Sequence, residues 1–253
     1  MSGELLASGL IADVVSLFRA AGVPGIAARI TAEDLVAAEL EAMPSHGVML
    51  VPMYLDRLRN GSISAEAEGQ IVSARGACTV LDAGNALGQP IARKSVALAV
   101  ESARAHGIGA VAVRNANHMG ALGLYGRMMA DAGCIGLATT NTRPLLPAPG
   151  GAEAQTGNNP LAIVAPSSGG FHAEVDMALS AASMGKIRNA AAAGQALPEN
   201  WATDAEGAPT TDPTAAIRGM LLPAAGPKGF GLALLLDLMR YARKLVTLDQ
   251  AAA

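Results

Sequence analysis

Apolar residues recur at helical spacing from the start of the chain. Leu5, Leu6, Leu10, Ile11, Val14, Val15 and Phe18 fall on one broad face, which predicts a helix over 4–22. Gly22 and Pro24 then stop it, because proline lacks the amide hydrogen that a helix needs. Thr31 opens Thr-Ala-Glu-Asp, a hydroxyl followed by acids that suit the positive end of a helix. A second helix is therefore expected from about 32 to 42, ended by Pro44, and a third over 48–59, closed by Asn60-Gly61. Residues 1–69 read as a small helical lobe.

From residue 70 the pattern changes. Ile71-Val72, Thr79-Val80-Leu81 and Ala110-Val111-Ala112-Val113 read as short buried strands, with further strands at 135–140 and 161–165. Helical stretches at 89–105 and 123–132 lie between strands, and this alternation argues for an α/β core. Residues 193–226 are loop-like, with Trp201 as their large apolar anchor, and 229–244 form a last strong helix. The domain reading is a helical lobe at 1–69, an α/β core at 70–239 and a divergent tail at 240–253, with no internal repeat.

Composition narrows the picture. Hydrophobic residues make up 51% of the 253 positions and charged residues 15%, so the chain can bury enough apolar surface to offset its ordering entropy. Aromatics are only 3%, which leaves the core to aliphatic side chains and methionine. A formal net charge of -3 carries no signature for nucleic acid or an anionic membrane. The run Leu232 to Leu236 is far too short to cross a bilayer, and the opening MSGELLASGLIADVV has no basic segment of the signal-peptide kind. The two cysteines, Cys78 and Cys134, lack a CxxC neighbour and are expected to be small buried thiols. These features predict a protein of a reducing compartment, the cytoplasm.

The chain has four histidines, and each can be weighed. His106 falls at a helix end, where a cation meets the dipole, and His172 in a glycine-rich loop, where it is expected to be solvated. His46 sits at a break between helices, where Ser45 could equally cap the next one. His118 lies in Val-Arg-Asn-Ala-Asn-His-Met-Gly-Ala-Leu-Gly, directly after a strand and before a helix. That is the crevice where α/β proteins place ligands, and an imidazole there can exchange a proton near neutral pH. A histidine merely hydrogen-bonded in a turn would look the same. Gly226-Pro227-Lys228-Gly229 puts a cation at a helix start, against the dipole; a bound anion or simple solvation would each account for it. No GxGxxG follows the first strands and no P-loop is present, so a Rossmann or P-loop assignment has no support.

Taken in order, several short segments resemble the malate/L-lactate dehydrogenase family of NAD(P)-dependent oxidoreductases. That family includes ureidoglycolate and sulfolactate dehydrogenases and piperideine-2-carboxylate reductase. The matching pieces are Ser45-His46-Gly47, Leu81-Asp82-Ala83 through Gly88-Gln89, Asn117-His118-Met119-Gly120-Ala121 and Thr140-Asn141-Thr142. They continue through Asn159-Pro160, Asp176-Met177-Ala178, Gly185-Lys186-Ile187, Thr210-Thr211-Asp212-Pro213 and Gly226-Pro227-Lys228-Gly229. Each is weak alone; their order over residues 5–239 is specific.

The resemblance implies a non-Rossmann α/β subunit with a mixed sheet, working as a homodimer. It implies hydride transfer between NAD or NADP and C2 of a small 2-hydroxy or 2-oxo acid, with no nucleic-acid or membrane partner. His118 would be the acid/base, and Ser45 and His46 would line the substrate pocket or relay protons. Met119, Gly120, Ala121, Leu122, Thr142, Asp176, Met177, Ala178, Pro227 and Lys228 would lie on the cofactor, and Asn158, Met184 and Gly185 near the substrate. No metal is implied.

Some positions depart from the family pattern. Leu50 stands where relatives carry an arginine that clamps the substrate carboxylate, and Asn158 stands where threonine is common. Lys186 replaces the acid of imine-reducing relatives, which favours the malate/lactate type or a different substrate anion. After Asp237-Leu238-Met239 the chain turns to Arg240-Tyr241-Ala242-Arg243-Lys244, where relatives add further strands. The main expectation stays an NAD(P)-dependent 2-hydroxy-acid dehydrogenase, in a chain that reads as truncated, a change that would reduce or remove the activity. The alternatives are a silent paralogue that binds cofactor or a partner subunit, and a reductase of cyclic imino acids.

Overall fold

A computed structural model describes residues 6–248, with side chains through 239. The chain divides into two compact units. One takes in residues 6–136 and 164–174, the other 137–163 and 175–248.

The first unit opens with α1 (Ala7–Ala20) and α2 (Gly25–Leu40), followed by two 3-10 turns, Pro44–His46 and Val48–Leu50, and α3 (Val51–Arg59). Val14 and Phe18 of α1, Ala28, Ala32 and Leu35 of α2, and Val51 and Tyr54 of α3 share one buried cluster. Burying side chains of this size stabilises by about 1.5–3 kcal/mol each. The second helix starts six residues before Thr31, directly after Pro24, and Thr31 is fully buried inside it. Proline pre-sets the backbone for a helix start, and burial of Thr31 overrides its capping preference. The expected third helix begins as a 3-10 turn, and its first amide, that of Val48, is satisfied by Glu39 Oε1 at 2.8 Å.

Next come β1 (Gln70–Arg75), β2 (Cys78–Asp82), α4 (Gly88–His106), β3 (Ala110–Arg114) and α5 (Leu122–Asp131). The sheet order is β1-β2-β3, with β1 and β2 antiparallel and β2 and β3 parallel. The parallel pair needs a crossover, which α4 supplies, and the register sets Asp82 opposite Arg114. α4 ends with His106 in its last turn and Gly107 at φ +80°, as a left-handed cap requires. β1 is exposed at all six residues, so it is an edge strand and not the buried one expected. Cys78 is exposed and Cys134 partly exposed, correcting the expectation of two buried thiols. His172 is not simply solvated, since its Nε2 meets Asp131 Oδ1 at 2.9 Å.

The remaining elements are β4 (Gly136–Thr139), β5 (Leu146–Pro147), β6 (Ala154–Thr156), β7 (Leu161–Ala165), β8 (Ala173–Met177), α6 (Met184–Ala192), β9 (Ala202–Thr203), β10 (Pro209–Thr210), α7 (Pro213–Arg218) and α8 (Pro227–Leu248). β4, β7 and β8 make a three-stranded sheet in the order β4-β7-β8, and β5-β6 and β9-β10 are small antiparallel ladders. In the second unit Leu146, Leu179, Ile187, Leu197, Leu221 and Leu236 bury together, with Trp201 packed on them. The segment read as a loop at 193–226 thus contains β9, β10 and α7, whose start is capped by Asp212 accepting the Thr214 amide at 2.9 Å. Among the described residues no helix is long and apolar enough to cross a membrane.

Candidate active site

In the first unit, the chain between β3 and α5 carries His118. Two turns hold it. Asp82, at the end of β2, accepts from Arg114 Nε at 2.9 Å, Asn115 Nδ2 at 3.0 Å and the Gly84 amide at 3.0 Å. These bonds, the one from Asn115 foremost, hold its carboxyl below the ordinary range. Asn117 Nδ2 donates to the carbonyls of Asn85 at 2.8 Å and Ala86 at 3.1 Å. Gly88, the first residue of α4, runs so close that a Cβ there would lie 2.3 Å from the His118 carbonyl oxygen.

Buried side chains then fix the imidazole from below. His118 Nδ1 lies 2.6 Å from the Tyr54 hydroxyl, which takes a hydrogen bond from Gln89 Nε2 at 2.9 Å. The Gly120 amide reaches the same Nδ1 at 3.3 Å, with Gly120 at φ +85°. Tyr125, also buried, donates to the Met119 carbonyl and shares its hydroxyl with Asp34 Oδ2 at 3.0 Å. Asp34 is paired in turn with Arg93 Nε at 3.0 Å. Solvent still reaches His118, so with Nδ1 engaged, Nε2 is the nitrogen available to a substrate.

His46 stacks on this imidazole, with ring centroids 5.9 Å apart and planes at 23°. Ser45 Oγ lies 3.0 Å from His46 Nδ1, so it serves the histidine and caps no helix. Desolvation, then the neighbouring His46 and Arg57, push His118 down to about 4. It is therefore neutral near pH 7 and ready to accept a proton. Burial pushes the Tyr54 hydroxyl up to about 12, which keeps it protonated. Leu50 is half-buried and packs against the apolar cluster of the first unit.

The first unit thus gathers Ser45, His46 and His118, followed by Met119, Gly120, Ala121 and Leu122. Leu122 is buried, so only its backbone can face a ligand. The other expected residues belong to the second unit. Thr142 Oγ1 donates to Asn158 Oδ1 at 2.8 Å and accepts from the Asn158 amide at 3.0 Å. Asn158 thereby completes a reciprocal pair with Thr142. The neighbouring Asn159 is fully buried, accepts the Thr142 amide at 2.9 Å and donates to the Ala233 carbonyl of α8 at 2.9 Å. Asp237 of α8 accepts from Asn141 Nδ2 at 2.7 Å and from the Thr156 hydroxyl. Asp176 and Met177 end β8 on exposed positions, with Ala178 next. Met184 and Gly185 start α6, capped by Ser183. Pro227 and Lys228 start α8 and are exposed.

Sequence reading missed Tyr54, Gln89 and Tyr125. Only Gln89 was inside a quoted motif, as the residue after Gly88. The signal for the others was faint: with only three tyrosines in the chain, each fully buried one needs a partner for its hydroxyl.

Comparison with known proteins places these residues in context. The family model for malate/L-lactate dehydrogenase matches residues 7–242. L-sulfolactate dehydrogenase of Methanocaldococcus jannaschii is 40% identical over 91% of this chain and 66% of its own length. A solved structure of sulfolactate dehydrogenase from that organism superposes with a TM-score of 0.88, at 36% identity over 93% of this chain and 68% of that one. The NAD(+)-dependent ureidoglycolate dehydrogenase of Escherichia coli O157:H7 is 36% identical over 87% of this chain and 62% of its length. The chain therefore spans just under two-thirds of the length of the M. jannaschii relative.

Proposed function

This chain belongs to the malate/L-lactate dehydrogenase family, and from that premise we propose that it is an NAD(P)-dependent oxidoreductase acting at C2 of a small 2-hydroxy or 2-oxo acid. The observation that carries the reading is His118 itself, with Nδ1 held at 2.6 Å by a buried tyrosine and the residue open to solvent. A bound nicotinamide supplies or accepts the hydride. The residues present fit such a group. Lys228 is an exposed cation at the start of a 22-residue helix, where an anion such as a dinucleotide phosphate would offset its repulsion from the dipole. Thr142 and the β8 end at Asp176, Met177 and Ala178, in the same unit as Lys228, would hold the rest.

In oxidation, His118 Nε2 takes the hydroxyl proton of the substrate as C2 loses hydride. In reduction, the imidazolium returns that proton to the carbonyl oxygen as C2 gains hydride. An anionic substrate beside the ring raises its proton affinity, which counters the desolvation and, after it, the His46 and Arg57 neighbours that hold it near 4. His46, stacked against His118, and Ser45, bonded to His46, would orient the substrate oxygen or pass a proton. The relatives named for sulfolactate and ureidoglycolate point to 2-hydroxy acids with a polar group at the far end. A homodimer is part of the same proposal, and sedimentation equilibrium checks it.

The test is loss of NADH or NADPH absorbance with a panel of 2-oxo acids that includes sulfonated and carboxylated ones. Turnover that drops by about 10²-fold or more in His118→Asn supports the reading; no turnover with any acid, in folded protein, sinks it. Leu50 favours a second reading. Its apolar packing leaves no charge at that position for a carboxylate, as in a chain that binds cofactor without catalysis. Calorimetric NADH binding in the absence of turnover would select that reading.

A further inference from the structure

Among the described side chains, three arginines are half-buried: Arg57, Arg93 and Arg127. Arg93 is paired with Glu33 and Asp34, and Arg127 with Glu41 and Glu174. Arg57 has no acid. Among the described residues it takes part in no ion pair, and its guanidinium donates no hydrogen bond. A cation drawn partly out of water without a partner costs free energy. An anion from solution would relieve that cost, and would be held there more firmly than at a fully exposed cation.

Its place in the fold says which anion. Leu50, Tyr54 and Arg57 follow one another at spacings of four and three, so they share one face of α3 and of the turn that leads into it. Leu50 packs into the apolar cluster, and the Tyr54 hydroxyl reaches His118 Nδ1 at 2.6 Å. Arg57 lies one turn beyond Tyr54, about 4.5 Å along the axis. After desolvation, the charged groups that push His118 down are His46, which is titratable, and Arg57, which is permanently charged. We propose that Arg57 binds the carboxylate of the 2-hydroxy or 2-oxo acid, so that the anion preference of this chain is set one turn beyond Tyr54 and not at position 50. This rests on the reading of His118 as the acid/base group.

The carboxylate of such an acid is bonded directly to C2, the carbon that exchanges hydride. A cation whose charge is felt at the imidazole therefore lies in the neighbourhood of that carboxylate when the C2 oxygen meets His118. A guanidinium can give a carboxylate two parallel hydrogen bonds, which fixes the orientation of C2 as well as its position. The pairing also changes the base. The groups facing the ring are His46 from the first 3-10 turn, Tyr54 and Arg57 from α3, and the Gly120 amide, with Gln89 of α4 behind Tyr54. His46 and Arg57 oppose a positive charge on His118. A carboxylate on Arg57 cancels one of the two, so the ring takes up a proton more readily with substrate seated than without.

The test pairs 2-oxo acids with their neutral amides, pyruvate with pyruvamide among them, and compares kcat/KM for each pair. The unsubstituted chain is expected to prefer the acid. Arg57→Gln keeps a polar side chain without the charge and is expected to lower kcat/KM for the acid by about 10- to 100-fold, the worth of a hydrogen bond to a charged group, and for the amide far less. Arg57→Lys keeps the charge without the fork and should retain part of the preference. A merely structural role would lower acid and amide alike, so equal losses, or no preference in the unsubstituted chain, overturn the proposal. If the Gln variant does not fold, Arg57→Leu decides by the same ratio. If the chain turns over no acid, oxamate, an unreactive anion of the same shape as pyruvate, decides in the ¹⁵N-labelled protein with NADH present. Oxamate that raises the proton affinity of His118 in the unsubstituted chain and not in Arg57→Gln sinks the proposed activity and leaves Arg57 as the anion site. No rise, or the same rise in both, overturns the assignment to Arg57 as well. Turnover with equal losses for acid and amide sinks that assignment alone.

Discussion

Asp34 is a carboxylate at 5% exposure, held by Arg93 on one side and the Tyr125 hydroxyl on the other. Burial pushes its carboxyl up, although Arg93 lies against it and pulls the other way. Removing one partner of such a pair leaves the other charge without compensation, which typically costs about 3–5 kcal/mol. Asp34→Ala is therefore expected to lose about that much in urea unfolding, and Asp34→Asn less, since an amide oxygen can still accept from Tyr125 and Arg93. A loss below about 1 kcal/mol in the alanine variant would mean that Arg93 is served well enough by Glu33, which it meets at 3.2 Å. Because Tyr125 also holds the Met119 carbonyl, the same variant should loosen the chain beside His118 and slow turnover beyond its effect on stability. None of this was legible in the residues. Helical spacing marks Tyr54 and Tyr125 as core positions, but which atom a buried hydroxyl meets 64 residues away, as Tyr54 meets His118, is set by tertiary packing. His118 was legible because a strand, a short polar run and a helix follow one another locally. For Ser45 the local rule offered a helix cap as one of two readings, and its contact with the His46 ring decides against the cap.

At the level of elements, the segment after β3 and the start of α4 are built to pass each other at close range. Gly88 has no room for a side chain, since a Cβ would meet backbone oxygens of both His118 and Asn117, at 2.3 and 2.5 Å. Backbone cannot swing aside as a flexible side chain can. Gly88→Ala is thus expected to cost about 1–3 kcal/mol, as overpacking does, and to displace His118. Gly9→Ala in α1, where nothing lies within 4 Å, should leave stability unchanged or raise it slightly, because alanine favours a helix. Equal effects of the two substitutions in chemical denaturation would argue against a close passage at Gly88. Helices with a long apolar stripe were legible to within a few residues, as α4 and α5 illustrate. Elements ruled by non-local contacts were not. β8 is exposed at every residue, so no alternation marked it. α2 starts at Gly25 because Pro24 permits it, while the stronger local signal at Thr31 lies buried inside the helix.

Over the whole molecule, the ordered motifs run through a chain that passes between its two units at 136/137, 163/164 and 174/175, a path that no local pattern announces. The first unit carries the titrating group that links folding to pH. His118 lies near 4 in the folded chain, against about 6.5 for a free histidine. Between these values the unfolded chain binds more protons, so stability is fully present above about pH 6.5 and is lost as pH falls toward 4. Asp34 has the opposite sign: its raised value means that the folded chain holds a proton more firmly, a contribution lost as pH rises through that value. The two therefore pull against each other in mildly acid solution, and a wild-type curve alone cannot separate them. His118→Asn removes only the first. Because solvent reaches the ring, the effect is discounted to below about 1 kcal/mol. The expected result is that unfolding free energy falls less steeply from pH 6.5 to 4.5 in His118→Asn than in the unsubstituted chain, with the curves converging in shape above pH 7. Parallel curves throughout would show that His118 titrates as a free histidine does.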